Sequence, residues 1–324
     1  MDILGGAVAD GIMAPPTSSS ESVMRTLDIA RSMLLIAALP LGASAQDFSK
    51  VEIKTTPLRG GAYLLTGAGG NMVASTGDDG TFLIDDQYAP LNEKISTALR
   101  EIGPLPLRFV INTHWHGDHT GGNEAFGEDG AVIIAHANVR KRMSSEQFIA
   151  AFGSKVDASP KAALPVVTFT RDIALHLNGN QVDVVHVADA HTDGDALVKF
   201  DSANVLHMGD TWFNGGYPFI DLSSGGSIDG LIAALDRGLE LSDAQTQIVP
   251  GHGALGDRAA LQAYRDLMQG ARDRVAALKA GGRTREDVIA AKPTAQWDAT
   301  HGKGFIKPAQ FIGFVYDSLP PAGK

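Results

Sequence analysis

The sequence predicts an α/β fold in which two β-sheets pack face to face and helices cover their outer sides. Short apolar runs of strand character occur in two series, and a segment of helical periodicity follows each series. Strands and then helices, twice over, are the order expected of a sandwich of two sheets with outer helices. No repeat or low-complexity linker divides the chain after residue 45, so residues 46–324 are predicted to form a single domain.

The first series begins with four runs, VEIKT, AYLLT, NMVAST and TFLID, which are separated by glycine-rich turns. A helix is predicted from about 91 to 102, where a Gly-Pro pair ends it. RFVINTH (108–114) and AVIIAH (131–136) follow as strands, because each contains an apolar run. A basic stretch at about 138–143 is predicted to be helical.

The second series begins after a mixed stretch, residues 144–165, which is predicted to form a mobile flank. Its five strand-like runs are VVTFT, DIALHL, VDVVHVAD, ALVKFD and NVLHM. A helix from about 227 to 241 and the strand QIVPGHG come next. The C-terminal part is predicted to consist of helices at about 258–279, 285–291 and 309–319.

The charge balance excludes one class of partner. Lys and Arg total 27 against 37 Asp and Glu, a net charge of −10, and no cluster of five or more basic residues occurs. An acidic chain without a basic stripe is a poor match for a phosphate backbone, so we predict no nucleic-acid partner. The chain has no cysteine, which excludes disulfides and thiolate metal ligands.

Residues 24–45 have the pattern of a signal peptide. Two arginines accompany an apolar run from Met33 to Leu41, and Ala43-Ser44-Ala45 supplies an A-x-A cleavage site. We therefore expect residues 1–45 to be a leader and signal peptide, cleaved after Ala45, and the mature protein to be periplasmic or secreted. The apolar run is shorter than the roughly 20 residues that span a bilayer, so no stable membrane anchor is expected. An ordinary N-terminal helix is the alternative interpretation.

The strongest chemical signal is the stretch THWHGDHTGG, which follows the predicted strand RFVIN. On extended chain, residues two apart such as His114 and His116 share a face. Gly117 allows the chain to turn, so that the Asp and His after it present further donors nearby. Three imidazoles and a carboxylate within six residues suit a borderline metal such as zinc. The alternative interpretation of the stretch is a His-rich surface loop that binds no metal. The candidate metal ligands in this stretch are His114, His116, Asp118 and His119.

This H-x-H-x-D-H spacing after a strand resembles the signature of the metallo-β-lactamase superfamily, and the other elements of that family occur in order. Residues 190–194 (AHTDG) correspond to a G-H-T-x-G turn that contains His191, with alanine in place of the first glycine. The run NVLHMGD ends at Asp210, where the family has an acid, a cysteine or a serine. His252 lies in a P-G-H-G turn, and Asp85 matches an early aspartate that ends a strand.

The resemblance implies a fold, a cofactor and a set of ligands. The fold is a four-layer αββα sandwich of two mixed β-sheets flanked by helices, with residues 46–324 as one catalytic domain. Two Zn²⁺ per chain are implied, with Fe or Mn possible. Asp85 is expected to orient a ligand rather than to bind metal. One metal would be held by His114, His116 and His191, the other by Asp118, His119 and His252, and Asp210 would bridge the two.

The implied chemistry is hydrolysis. Two cations that share a water lower its pKa and allow it to attack a carbonyl or phosphoryl centre. Asp118 would be the catalytic residue that orients this water and moves its proton. The G-x-S-x-G motif of a serine hydrolase is absent from the sequence. Five further histidines fit no element of the family pattern. Two of them lie in predicted strands and are expected to pack or to support ligands, namely His186 and His207, and the others are His136, His176 and His301.

Asp210 and the residues after it bear on the substrate. A carboxylate at this position resembles glyoxalase II and the lactonases, whereas the well-known β-lactamases carry Cys or Ser. Residues 211–221 contain no Lys or Arg to hold a drug carboxylate. Their aromatic side chains are expected to form one wall of an apolar cleft, or else to pack under a loop. We therefore predict an exported binuclear zinc hydrolase of a small amide or ester, with β-lactam or lactone ring opening favoured.

Other classes stay open beside this prediction. A thioesterase of glyoxalase II type is the first, and a mononuclear iron sulfur dioxygenase is the second, although the complete set of seven ligands argues against it. A non-catalytic zinc-binding module is the third. A flavin-linked di-iron reductase is disfavoured, because His116 stands where that class has Glu. The partner is predicted to be a small-molecule substrate, over which the loops at 68–72 and 144–165 are candidates to close, and no oligomeric state is predicted.

Overall fold

The computed structural model describes residues 47–321 of the chain, which contain sixteen strands and nine α-helices. The strands are β1 (Lys54–Pro57), β2 (Ala62–Thr66), β3 (Met72–Gly77), β4 (Gly80–Ile84), β5 (Phe109–Ile111), β6 (Val132–His136), β7 (Gln147–Ile149), β8 (Ser154–Val156), β9 (Val167–Phe169), β10 (Asp172–Leu177), β11 (Asn180–His186), β12 (Ala196–Phe200), β13 (Val205–His207), β14 (Phe213–Asn214), β15 (Gln247–Val249) and β16 (His252–Gly253). The helices are α1 (Asn92–Arg100), α2 (Gly117–Thr120), α3 (Asn123–Glu128), α4 (Ala137–Met143), α5 (Ile228–Glu240), α6 (Arg258–Ala280), α7 (Arg285–Ala290), α8 (Asp298–His301) and α9 (Pro308–Ser318).

Two mixed sheets contain most of these strands. The larger has seven strands in the order β1-β2-β3-β4-β5-β6-β9, and the smaller has five in the order β10-β11-β12-β13-β15. In the larger sheet β1 to β4 pair antiparallel, whereas β4, β5, β6 and β9 pair parallel. The smaller sheet is antiparallel except for the parallel pair of β13 and β15. Both sheets are therefore mixed, as predicted.

Three apolar cores separate four layers. The inner core joins the two sheets, with Phe82 and Ile111 from the larger sheet and Val184 and Phe200 from the smaller. A second core lies between the larger sheet and helices α1 and α3. A third lies between the smaller sheet and helices α5, α6 and α9. Each sheet is thus packed against another layer on both faces, and the predicted αββα sandwich is confirmed.

Two predictions about the strands need correction. The run VVTFT was grouped with the second series, but its strand β9 pairs parallel with β6 at the edge of the larger sheet. The segment between β6 and β9 contains α4, and a helical crossover of this kind returns the chain parallel to β6. The strand predicted at 108–114 is also shorter, since β5 ends at Ile111 and a bend follows.

Several short elements were missed by the sequence prediction. Helices α2, α3 and α8 and the two-residue strand β14 are too short to show a period. The run QIVPGHG, predicted as one strand, contains two strands, β15 and β16, which belong to different sheets. The stretch 144–165, predicted as a mobile flank, contains the antiparallel hairpin of β7 and β8. This hairpin contributes to the functional site described below.

The carboxyl ends of strands from both sheets lie at one edge of the sandwich. Strands β4 and β5 are parallel neighbours in the larger sheet, and β13 and β15 are parallel neighbours in the smaller. Strand β11 runs in the same direction as β13, because each is antiparallel to β12. Side chains that follow these five strands are therefore brought together across the two sheets.

The N-terminal prediction falls on a different part of the chain. The signal peptide proposed for residues 24–45 lies outside the described residues. Among residues 47–321, no helix has the length and apolar character needed to cross a membrane.

Candidate metal centre

The THWHGDH stretch follows strand β5 and places two imidazoles face to edge. The rings of His114 and His116 have centroids 4.9 Å apart and are almost perpendicular. The chain bends here instead of continuing as a strand, and Trp115 packs in an apolar cluster with Val139 and Met143, with its ring centroid 4.8 Å from that of His116. A donor atom of His114 and one of His116 still lie within 4.8 Å of each other. The predicted common orientation of the two histidines is therefore found, although a bend and not strand alternation produces it.

The short helix α2 presents the next two donors. It begins at Gly117, so that Asp118 and His119 project from its first turn towards the same space. The Nδ1 atom of His119 lies 2.7 Å from Oδ2 of Asp85, the residue that follows β4. Asp85 also accepts hydrogen bonds from the backbone N–H and the hydroxyl of Thr113, at 2.7 and 2.8 Å. Asp85 therefore orients a donor and joins none of the donor groups, as expected.

His191 is held by the turn after β11. The carboxylate of Asp195 accepts hydrogen bonds from the backbone N–H groups of His191 and Thr192, at 2.6 and 2.8 Å, and so closes the turn. The Nδ1 atom of His191 donates to the carbonyl oxygen of Phe219 at 2.7 Å. Its Nε2 atom is left facing the imidazole of His116.

Asp210 and His252 follow the parallel strands β13 and β15. One carboxylate oxygen of Asp210 lies 3.4 Å from Nε2 of His252 and 3.5 Å from Nε2 of His191, and the other lies 3.0 Å from Nε2 of His119. Gly251 allows this approach, since a Cβ there would lie 2.1 Å from Oδ1 of Asp210. Asp210 therefore occupies the central position that the resemblance gives to a bridging ligand.

The seven predicted ligands, here called the donor cluster, come together as three overlapping groups. Within each group the candidate ligand atoms all lie within 4.8 Å of one another. Two of the groups share His114, and two share His119. The groups are His114, His116 and His191; His114, His119 and Asp210; and Asp118, His119 and His252.

Four of the five imidazoles in the donor cluster have one nitrogen occupied by an acceptor outside it. The acceptor for His114 is the hydroxyl of Thr113 at 3.1 Å, whose own proton goes to Asp85. The acceptors for His116, His119 and His191 are Asp221, Asp85 and the Phe219 carbonyl. The second nitrogen of each ring therefore faces the other donors, and in the neutral form of the ring, which carries only one N–H, that nitrogen offers an electron pair.

The facing electron pairs fit a divalent cation. Nδ1 of His116 and Nε2 of His191 lie 2.8 Å apart, although both outer nitrogens already donate. Among the described residues, Nε2 of His114 is a buried polar atom without a hydrogen-bond partner. Imidazole nitrogen and carboxylate oxygen without thiolate are donors that suit zinc, and also iron or manganese.

The surrounding charges divide the histidines into two kinds. Burial lowers the pKa of His114 well below its usual value and that of His191 to about 4, so both rings stay neutral. Burial also lowers the pKa of His252, but the carboxylates of Asp210 and Asp118 outweigh it and raise that pKa to about 9. The pKa of Asp118 shifts in the opposite direction. Burial raises this pKa, but His119 and His252 outweigh burial and lower it to about 2. The two carboxylates thus attract positive charge to this side of the donor cluster.

Asp221 is a supporting residue that the sequence did not single out. Its Oδ2 atom lies 3.1 Å from Nε2 of His116, and it also accepts a hydrogen bond of 2.6 Å from the hydroxyl of Ser224. Burial would raise the pKa of Asp221, but the hydrogen bonds from His116 and Ser223 lower it below its usual range. The only available signal was an aspartate at the end of the aromatic stretch, without a motif that links it to His116.

The loop at 68–72 is tied to the donor cluster. Asn71 donates from its backbone to the carbonyl of Gly251 at 2.7 Å and from its side chain to the carbonyl of Pro250 at 2.9 Å. Its own carbonyl accepts a hydrogen bond of 2.9 Å from Nε2 of His207. Gly70 packs against the ring of His119, since a Cβ there would come within 2.1 Å of it. His207 thus supports the site from outside, as expected for a histidine in a strand.

The remaining histidines lie outside the donor cluster. His186 stacks on His136, with ring centroids 3.8 Å apart and planes 6° from parallel. His301 lies on the short helix α8 near Tyr217, and His176 is on the edge strand β10. None of these belongs to the three donor groups formed by the described residues.

A cavity of about 670 Å³ opens onto the donor cluster. His116, Asp118, Asp210 and His252 form its inner end. The aromatic stretch contributes Phe213, Tyr217 and Phe219, so the predicted cleft wall is present, although Trp212 is buried behind it. The hairpin of β7 and β8 and the loop before α9 complete the cavity. The residues from these two segments are Ile149, Phe152, Gly304, Phe305 and Ile306.

Comparisons with known proteins agree with this geometry. The family model described as the metallo-beta-lactamase superfamily matches residues 56–266. A hydroxyacylglutathione hydrolase from Nitrosococcus oceani is 28% identical over 164 residues, which are 50% of this chain and 55% of that protein. The alpha subunit of a 2,4-dinitroanisole O-demethylase from Nocardioides sp. is 27% identical over 173 residues, 51% of this chain and 48% of that one. The chain thus spans about half the length of these curated relatives.

Solved structures share the fold. A metallo-beta-lactamase from Pontibacter korlensis superposes with a TM-score of 0.53 at 21% identity, over 67% of this chain and 99% of that one. At this identity the similarity concerns the architecture alone.

Proposed function

The chain belongs to the metallo-β-lactamase superfamily of hydrolases, and on that basis we propose that it is a binuclear zinc hydrolase of small uncharged esters, lactones or amides. One observation carries the proposal. Four buried imidazoles each give one nitrogen to an outside acceptor and turn the other inwards, around the shared carboxylate of Asp210. Two cations fit this arrangement better than one, because the three donor groups overlap without coinciding.

The residues of the site would have different roles in the proposed hydrolysis. Bound zinc would supply Lewis-acid activation of a water and of the substrate carbonyl. Asp118 lines the cavity with its side chain about one-fifth exposed, so its carboxylate can orient the attacking water and accept its proton. Asp85 and Asp221 keep His119 and His116 in one tautomer, and Phe213 and Phe219 exclude solvent from the cleft.

The charge of the cavity favours an uncharged substrate. No Lys or Arg is among the described residues that line it. A carboxylate or phosphate group would therefore enter without a cationic partner other than the metals. Lactones and simple esters meet this condition. β-Lactams carry a carboxylate, and for them only Asn214 at the cavity wall offers a neutral amide.

A thioesterase of glyoxalase II type is the second candidate. The similarity to hydroxyacylglutathione hydrolases and the carboxylate at Asp210 favour it. The glutathione moiety carries two carboxylates, however, and the described residues of the cavity lining include no Lys or Arg to receive them. A mononuclear iron sulfur dioxygenase is the third candidate, and it uses fewer donors than this chain brings together.

We also propose that the protein is exported after cleavage of a signal peptide. This proposal rests on the sequence of residues 24–45 alone, with its apolar run and A-x-A site. Expression of the full chain in a Gram-negative host, followed by N-terminal sequencing of the periplasmic protein, tests it. A mature N-terminus at Gln46 is expected, whereas an uncleaved cytoplasmic chain would contradict it.

The first experiment is elemental analysis of the purified protein, paired with hydrolysis assays on p-nitrophenyl acetate, a lactone panel, nitrocefin and S-lactoylglutathione. We expect about two zinc ions per chain and chelator-sensitive turnover, with the uncharged esters and lactones preferred. Preference for S-lactoylglutathione would transfer the proposal to the thioesterase. A single iron, or bound metal without any hydrolysis, would refute it.

A further inference from the structure

Aromatic rings form a continuous series from the donor cluster to the cavity mouth. Phe219 stacks on His116, with centroids 5.8 Å apart and planes 24° from parallel. Phe152 of the hairpin lies 4.8 Å from Phe219, and Phe305 of the loop before α9 lies 5.3 Å from Phe152. Three segments distant in sequence thus contribute one ring each. Phe219, Phe152 and Phe305 are here called the aromatic ladder.

The outer rings of the aromatic ladder are exposed to solvent. Phe152 is 38% exposed and Phe305 is 75% exposed. Large apolar side chains that remain exposed beside a cavity, and in contact with its wall, are typical of a surface that receives a ligand. Packing alone does not account for them, because burial in the fold leaves most of the Phe305 side chain uncovered.

The rest of the cavity is apolar along the same direction. Ile149 and Ile306 lie in the lining beside the outer rings, and Phe213 stacks on His252 at the inner end, with centroids 5.0 Å apart. Among the described residues that line the cavity, every charged side chain belongs to the donor cluster. A ligand that runs outwards from the donor cluster therefore meets hydrocarbon up to the mouth.

We propose that the substrate carries an elongated uncharged apolar group, an alkyl chain or an aryl group, which lies along the aromatic ladder. This inference rests on the proposed hydrolase and narrows its substrate. A compact lactone at the donor cluster would reach Phe219 but not Phe305, whereas an extended acyl group reaches all three rings. In the reaction the oxygen of water bonds to the carbonyl carbon, the bond to the leaving oxygen breaks, and the leaving alcohol takes up a proton.

Esters of increasing acyl length test the proposal. The zinc-loaded protein is assayed with p-nitrophenyl acetate, butyrate and octanoate, in the native form and as Phe152→Ala and Phe305→Ala. Phe148→Ala is the matched control, because Phe148 is 57% exposed on the same hairpin but lies outside the cavity lining. Loss of one aromatic contact is expected to lower kcat/KM for octanoate by about tenfold and to lower the value for acetate by much less.

The expected result is a fall in the octanoate-to-acetate ratio in Phe152→Ala and a smaller fall in Phe305→Ala, with Phe148→Ala unchanged. An unchanged ratio in both cavity variants, or an equal fall in Phe148→Ala, overturns the aromatic ladder as the acyl site. If acetate is hydrolysed and octanoate is not, the hydrolase proposal stands and this inference fails.

A binding measurement separates the inference from the hydrolase itself. N-phenyl-1-naphthylamine is a neutral apolar fluorophore, and its titration against each variant requires no turnover. We expect Kd to rise about tenfold in Phe152→Ala and to stay unchanged in Phe148→Ala. Absence of hydrolysis in every metal-loaded sample would refute the proposed function, while the fluorophore still decides the aromatic ladder. Equal Kd values in all variants would overturn it.

Discussion

The inner and outer ends of the cavity are built in opposite ways. At the inner end, most of the donor cluster is buried, and four of its imidazoles are fixed by hydrogen bonds that they donate to Thr113, Asp85, Asp221 and the Phe219 carbonyl. At the outer end, the rings of Phe152 and Phe305 are exposed, and ring-to-ring contacts join them to each other and to Phe219. The side chains at the inner end therefore have one fixed arrangement. The side chains at the outer end can change without disturbing the donor cluster.

The difference separates chemistry from selection. Ligand atoms must be held within tenths of an ångström, and directional hydrogen bonds provide that precision. Apolar contacts are not directional, and they suit a surface that accepts substrates of related shape. We expect substitutions at the inner end to change metal content and kcat, and substitutions at the outer end to change KM or stability.

The largest effect is expected for Asp118→Asn, at the inner end. The amide cannot accept the proton of the attacking water, so kcat/KM should fall by about a thousandfold while the circular dichroism spectrum is retained. Steady-state kinetics and elemental analysis on the same preparation measure both parts. Asp129→Asn, at an exposed turn, is the control. Turnover at the native rate in Asp118→Asn would remove Asp118 from the catalytic role.

A smaller effect is expected for Asp221→Ala, which acts through His116. Without the carboxylate, Nε2 of His116 loses its acceptor, and the ring no longer favours the tautomer with a free Nδ1. Zinc affinity should fall by about 10–100-fold in a titration against a competing chelator. Ser223→Ala, which removes a partner of the other oxygen of Asp221, should leave the affinity close to that of the native protein. Equal losses in both variants would indicate that the whole turn, and not the pairing with His116, is responsible.

Gly70→Ala tests whether the loop at 68–72 fixes the donor cluster. The new Cβ would lie 2.1 Å from the ring of His119, so either this ring or the loop at 68–72 has to move. We expect a loss of about 1–3 kcal/mol in the free energy of unfolding, together with weaker zinc binding. Gly216→Ala is the matched control, because a Cβ at Gly216 meets nothing within 4 Å. Native stability and native zinc affinity in Gly70→Ala would contradict the packing of this loop.

The smallest effect is expected for Tyr217→Phe, in the wall. The hydroxyl of Tyr217 lies 2.7 Å from Oδ1 of Asp298, and burial raises its pKa above the usual value, so it donates as a neutral phenol. Its loss should cost about 1 kcal/mol of unfolding free energy in urea titrations, with zinc content and kcat unchanged. A large fall in kcat would show that the cavity wall at Tyr217 is coupled to the donor cluster. The inner and outer ends of the cavity could then not be treated as independent regions.

The inner end could be predicted from sequence because its residues lie in short motifs. The THWHGDH stretch, the turn around His191, the end of NVLHMGD and the P-G-H-G turn each follow a recognisable strand. The resemblance to the family implied how these motifs group, and in the structure parallel or co-directional strands place their carboxyl ends at one edge. The two-sheet sandwich followed from the same alternation of strands and helices.

The outer end could not be predicted in this way. Phe152 and Phe305 come from segments without a motif, and only the folded chain brings them beside Phe219. The hairpin of β7 and β8 has three-residue strands of which every residue is at least partly exposed, so no alternation of buried and exposed positions marks them. Asp221 was missed for a similar reason, since its pairing with His116 depends on the path of the intervening chain.

The donor cluster draws on both sheets, since His114 to His119 follow the larger sheet and His191, Asp210 and His252 follow the smaller. A cation bound there would add a further link between the two halves of the chain, which also meet through apolar packing and hydrogen bonds. Ligands that bind the folded state alone raise its stability by mass action. The supply of metal would then determine whether the protein is active and also how long the folded protein resists proteolysis. When metal is scarce, the inactive metal-free protein would be degraded.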